Sequence, residues 1–237
     1  KIATRESYGN APVEIGKENP NLVVLDADLA AATKTGVFKK AFPERHIDCG
    51  IAEANMAGVA AGMSTCGYVP FMSTFAMFAA GRAFEIIRNS ACYPKLNLKV
   101  CATHAGITVG EDGASHESIE DIAIMRAVPN MTVLVPADGV EAEQMILEAA
   151  KYYGPMYVRL GRSGDPTLFN DDYKFEIGKG TDVKLNNEDY LIYIGLNRPT
   201  EETDPNDEVA SNFYPVVEDM QSMGWRSIGS DIAAYNA

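Results

Sequence analysis

The segment HAGITVGEDGASH (residues 104–116) gathers two of the chain's three histidines, two acids and three glycines directly after an apolar run. Histidine changes charge near neutral pH, and glycine lets backbone approach a ligand closely. His104 and His116, with Asp112 between them, can therefore move protons or bind a polar ligand. The same side chains are metal-ligand types, but their spacing is not the i, i+4 pattern of a helical zinc site, and no metal is assigned to them. A purely structural loop is the third reading.

Between Asp48 and Arg82 lie 33 residues whose single acid, base or histidine is Glu53, in the string GIAEANM at the start of an Ala/Gly-rich helix. A lone carboxylate in so apolar a setting loses hydration and either pairs or shifts its pKa, which makes Glu53 a candidate for proton chemistry. The competing reading is an acid favoured in the first helical turn by the helix macrodipole. Phe75 and Phe78 flank a strand end and the next helix start, where aromatics serve as core or as a ligand platform. Arg5 and Arg162 are candidate anion ligands, because guanidinium grips phosphate through two N–H groups. EDG at 111–113 is not a phosphate loop, since it lacks the lysine and the glycine spacing of one.

Strand-like runs and helical patterns alternate over residues 1–162. Strands are expected at 21–28, 45–50, 68–75, 98–104, 131–138 and 156–162, with helices at 3–18, from Ala52, and at 76–93, 118–127 and 139–152. Continuous apolar strands alternating with helices predict an α/β fold, a parallel sheet covered by helices on both faces. In such sheets ligands sit beyond the carboxyl ends of the strands, where Glu53, Phe75 and His104 fall. Residues 1–163 make up this domain. Residues 164–237 read as a linker, a hairpin over 175–194 and a polar, Pro-interrupted segment, together a short atypical C-terminal appendage.

With 46% hydrophobic and 22% charged residues among 237, the chain buries a core. Its net charge of −13 is uneven: residues 1–162 carry 15 Lys/Arg against 18 Asp/Glu, and residues 163–237 carry 5 against 15. Such acidity argues against nucleic acid or an anionic membrane as partner. Gly, Ser, Thr and Pro70 interrupt the uncharged stretch too often for a membrane span. Cys49, Cys66, Cys92 and Cys101 lie in apolar runs without paired spacing, as buried thiols in a reducing compartment do. With no signal-peptide core at the N-terminus, the expectation is a cytoplasmic protein.

Taken in order, ATR (3–5), DADL (26–29), GIAEANM (50–56), STFAMF (73–78), ATHAGITVGEDGASH (102–116), PNMTVLVPAD (129–138) and VRLGR (158–162) resemble the pyrimidine-binding domain of transketolase. The resemblance is strongest to the C-terminal subunit of split, two-chain transketolases and covers about residues 1–195. It implies a thiamine-diphosphate enzyme that moves a two-carbon ketol unit from a ketose phosphate to an aldose acceptor. By resemblance, Glu53 is the glutamate that hydrogen-bonds N1′ of the aminopyrimidine and favours the imino tautomer. Phe75 and Phe78 match aromatics stacked on that ring; a third aromatic of the family's pocket is Gly81 here. His104 and Asp112 match residues that contact the sugar, His116 a second active-site histidine, and Asp28 an acid near the cofactor. Arg5 and Arg162 match the phosphate clamp, whose serine is Ala32 here, with Thr33 beside it.

The family's motif for the diphosphate and divalent ion, a GDG closed by an asparagine pair, has no counterpart in the chain. The resemblance therefore implies an N-terminal transketolase subunit that holds the diphosphate and Mg2+, in a heterotetramer that also self-associates across a dimer interface. Family members continue into a third α/β domain, whereas the 43 residues after Ile194 do not resemble it. The nearest rival, 1-deoxyxylulose-5-phosphate synthase, shares GIAE but favours an aspartate-arginine pair where ATH (102–104) stands. Two-chain oxo-acid dehydrogenases lack the histidine-rich loop. A non-catalytic, partner-binding homologue is the alternative of another class, and Glu53, His104, Asp112 and His116 argue against it.

Overall fold

The inner strands of the central sheet are buried on both faces, the pattern of a sheet enclosed between two helix layers. The computed structural model describes residues 1–170 and 172–180. In chain order the elements are β1 (Ile2–Ala3), α1 (Thr4–Glu18), β2 (Leu22–Asp26), α2 (Ala30–Thr33), α3 (Gly36–Ala41), β3 (His46–Asp48), α4 (Glu53–Thr65) and β4 (Val69–Phe75). They continue with α5 (Ala76–Ala80), α6 (Phe84–Ile86), β5 (Lys99–Thr103), α7 (Asp121–Arg126), β6 (Thr132–Leu134), α8 (Gly139–Lys151), β7 (Met156–Arg159) and β8 (Gly164–Asp165). Six strands form one parallel sheet in the order β3-β2-β4-β5-β7-β6. A small antiparallel ladder joins β1 to β8.

Side chains alternate between two cores with the period of two that strand geometry imposes. Val23, Leu25, Met72, Val100, Ala102 and Tyr157 pack against α4, α5 and α7. Leu22, Val24, Phe71, Cys101, Met156 and Val158 pack against α1, α3 and α8. Each large side chain buried this way contributes about 1.5–3 kcal/mol. Both faces are covered, as the apolar runs predict.

α8 starts with a reciprocal cap. Asp138 Oδ1 accepts the Glu141 N–H at 2.9 Å, and Glu141 Oε2 accepts the Ala137 N–H at 2.7 Å. The other oxygen of Asp138 accepts from Leu168 and Phe169, while Tyr173 donates to Glu141 and Gln144 bonds both Tyr173 and Phe175. Polar side chains of α8 thereby hold the segment after β8 along the helix.

Four expectations need correction. Only Cys92 and Cys101 are the buried thiols expected; Cys49 is half-buried and Cys66 exposed. The helix over 76–93 is broken at Gly81, where a Cβ would lie 2.7 Å from the Met77 carbonyl. There the Ala83 N–H reaches back five residues to Phe78 O, and Ile87–Cys92 wind as a π-helix. The sequence pattern does not predict α2 and α3, which are too short to show a period. The strand expected from Phe175 is absent over 175–180, which is turn and irregular backbone; the remainder of that hairpin lies outside the described residues.

Candidate active site

Parallel strands end at one edge, and that edge collects the candidate residues. Asp28 follows β2, Glu53 opens α4 just after β3, Phe75 ends β4, His104 follows β5 and Arg162 follows β7. Arg5 enters from the first turn of α1. It is held near β7 by the β1–β8 ladder and by Thr4 Oγ1, which accepts the Gly161 N–H at 2.8 Å. Asp28 and His104 both sit in the left-handed backbone region, with φ of 62° and 59°. Non-glycine residues there cost strain that folds retain mainly at functional sites.

His104 is buried at the centre of the group. Its ring stacks on Phe75 with centroids 3.9 Å apart. Its Nε2 lies 3.1 Å from Arg5 Nη1, and its Nδ1 lies 2.9 Å from the Thr103 hydroxyl. A guanidinium cannot accept, so Nε2 is the acceptor and the proton sits on Nδ1, donated to Thr103. Burial pushes His104 down to about 4, with Arg5 and then Arg162 adding to the effect. At neutral pH the ring is uncharged.

Phe75 and Phe78 lie near-parallel, 15° between planes and 5.8 Å between centroids, and the His116 ring sits edge-on to both. Glu53 is 3% exposed and pairs: Arg82 Nη1 donates to its Oε1 at 3.0 Å. The same guanidinium lies 4.0 Å over the Phe78 ring. The space beside Phe78 is thus lined by Arg82 rather than left open by the absent aromatic at Gly81.

Burial, and after it the charge of Arg162, lowers the Arg5 pKa. Arg5 Nη1 donates to the Ala32 carbonyl at 2.9 Å, while its Nε is buried without a partner. Arg162 donates to Val109 O at 2.8 Å and pairs with the exposed Glu111 carboxylate. Gly110 (φ +84°) makes that approach possible, since a Cβ there would collide with the guanidinium. Thr33 does not replace the missing serine: it is buried, and its hydroxyl is spent on Asp26 and on Leu29 O.

The structure therefore joins Arg5, His104, Phe75, Phe78 and His116 by direct contact and reaches Glu53 through Arg82. Asp112 and Arg162 act on His104 through their charges. Asp28 stands apart, exposed, its N–H bonded to Asp48 Oδ1, which also accepts from Gly50 and so ties the turn after β2 to the loop before Glu53. Arg82, Thr103, Glu111 and Asp48 are the members that sequence reasoning missed. Arg82 had a signal: it is the charge that closes the uncharged stretch around Glu53. Among the described residues no three His, Cys, Asp or Glu side chains converge to hold a metal, the four cysteines are free, and no helix is long and apolar enough to cross a membrane.

Residues 1–165 match the family model of the transketolase pyrimidine-binding domain. A transketolase C-terminal section from Methanocaldococcus jannaschii is 53% identical over 197 residues, 82% of this chain and 62% of that one. Human transketolase is 40% identical over 180 residues, 76% of this chain but 29% of the enzyme. A subunit of a 6-deoxy-6-sulfo-D-fructose transketolase from Clostridium sp. (strain MSTE9) is 34% identical over 81% of this chain and 60% of its own length. Among solved structures, a split-gene transketolase in an inactive beta4 tetramer superposes with a TM-score of 0.70 at 61% identity, covering 78% of this chain and 59% of that one. The chain thus spans about three fifths of its split relatives and under a third of the human enzyme. The matched domain takes in every candidate residue at the sheet edge, and by that match the chain belongs to the transketolase pyrimidine-binding-domain family.

Proposed function

We propose that the chain is the pyrimidine-binding half of a thiamine-diphosphate-dependent transketolase, completed by a second chain that holds the diphosphate and Mg2+. The observation that carries this reading is the buried Glu53 carboxylate beside the paired Phe75 and Phe78 rings, on the same edge as a neutral His104 clasped by Arg5. A flat, hydrogen-bonding base fits that cradle: rings to stack on and one carboxylate at their side. When bound, thiamine diphosphate supplies the nucleophilic carbon and electron sink for the two-carbon unit.

The chain's own residues bind and manage protons. Glu53 shares the proton at N1′ of the pyrimidine, Phe75 and Phe78 fix the ring plane, and Asp28 belongs to the cofactor side of the edge. Arg5 and Arg162 take a terminal anion between them, which relieves their mutual repulsion and satisfies the orphaned Arg5 Nε. As Arg5 turns to the anion, His104 Nε2 is freed to accept a hydroxyl proton of the sugar. Asp112 reads a second hydroxyl, and His116 serves as the second base near the donor. The sulfofructose relative supports a sulfonate as well as a phosphate as that anion.

The split-gene relative, inactive as a beta4 tetramer, supports a requirement for the partner chain. The working assembly is two copies of each chain. Free cysteines support a reducing, cytoplasmic location. The test is ketol transfer from xylulose 5-phosphate to ribose 5-phosphate with thiamine diphosphate and Mg2+, with this chain alone and with the diphosphate-binding chain. Activity only in the mixture is expected. Activity alone overturns the partner requirement, silence with cofactor bound moves the reading to another ketose, and silence without cofactor binding overturns it.

A further inference from the structure

Arg82 is used by none of the steps above, yet it touches two of the groups assigned to the cofactor. Its guanidinium is planar, donates an N–H to Glu53 Oε1 at 3.0 Å and lies 4.0 Å over the Phe78 ring. A 4-aminopyrimidine would make the same pair of contacts. It is a flat amidine-type base whose protonated ring nitrogen donates to the carboxylate while its face covers an aromatic ring.

We propose that Arg82 is a resident stand-in for the pyrimidine, holding the cofactor's contacts on Glu53 and Phe78 until the cofactor displaces it. The inference rests on the cofactor reading given above. The backbone supports the role. Gly81 breaks the helix between α5 and α6, and the Ala83 N–H bonds five residues back, so Arg82 projects from a turn. Its side chain is 52% exposed against 3% for Glu53, leaving solvent to receive the guanidinium when it swings away. A pairing with a group this exposed is weak enough to be exchanged, while an unpaired Glu53 would be a costly buried polar group.

The stand-in taxes binding, because only the fraction of molecules with Arg82 swung away accepts the cofactor. Removing the guanidinium should therefore tighten thiamine diphosphate. Calorimetric titration of thiamine diphosphate with Mg2+ into the two-chain complex should give an Arg82→Met dissociation constant about five- to tenfold below wild type. Arg82→Lys keeps the charge but loses the plane and one donor array, and should fall between the two. If Arg82→Met does not assemble, Arg82→Lys carries the test alone. An unchanged or raised dissociation constant in the assembled variant overturns the proposal and makes Arg82 a structural or cofactor-holding residue. Phe75→Leu, which leaves the Arg82 contacts alone, separates the two readings. If it weakens binding while the Arg82 variants do not tighten it, only the stand-in fails. If neither change alters binding, the cofactor reading itself fails.

Discussion

A basic side chain stands at each end of β5, and the two are treated oppositely. At the amino end, Lys99 is fully buried and donates to Asn97 Oδ1 at 2.6 Å and to the carbonyls of Tyr152 and Gly154 at 2.7 Å each. All three of its donors are satisfied by the chain itself. At the carboxyl end, Arg5 reaches His104 and Ala32 but leaves Nε buried and unpaired, with a second arginine beside it. A satisfied buried charge holds a fold together, whereas an unsatisfied one marks where a ligand completes the bonding.

The comparison predicts loss of function without loss of stability at one edge, and the reverse at the other. The largest effect is expected for Glu53→Gln: ketol transfer by the two-chain complex should fall by about a thousandfold with little change in unfolding temperature. Unaltered rates would reduce Glu53 to a helix-start acid. Next, Lys99→Met removes the donor from three acceptors, the buried Gly154 carbonyl among them, and should cost about 2–3 kcal/mol, read as an earlier denaturant midpoint with cofactor affinity unmoved. A parallel fall in cofactor affinity would erase the division between the edges. Third, Arg5→Gln should raise KM for a phosphorylated ketose by roughly tenfold or more while leaving an unphosphorylated one nearly untouched. Equal losses for both sugars would show Arg5 acting through His104 instead of through the anion.

The fourth effect is in pH. Folded His104 titrates near 4 and its unfolded value is near 6.5, so between those values the unfolded chain binds more protons. Acidification through that window should withdraw stability, and above 6.5 the contribution should be flat. The His104 ring resonances, followed by NMR, should stay constant from pH 8 to about 5.5. A midpoint near 6.5 would mean that the ring is neither desolvated nor pressed by Arg5.

Strand positions were legible because a sheet buried on both faces writes itself as continuous apolar runs, and His104 and Phe75 could be placed at strand ends for that reason. Glu53 stood out by its isolation. What sequence could not give were the contacts made by turns. At Gly81, where the helix breaks, a Cβ would meet the Met77 carbonyl, and the next residue, Arg82, pairs with Glu53, a contact between distant segments that no periodicity announces. α2 and α3 lacked the length to show a period. The hold of α8 on residues 168–175 is a set of side chain–backbone bonds that no pattern announces.

The pairing of Ile2 with Asp165 and Ala3 with Gly164 fastens residues more than 160 positions apart, and Arg5 and Arg162 each lie within three residues of that fastening. On the proposed reading, that ladder sets the anion site without touching a ligand. Loosening it, as by Ile2→Gly, changes the spacing of the two arginines while the hydrophobic layers stay intact. Such a change should show itself first as an altered sugar preference and only later as a less stable protein.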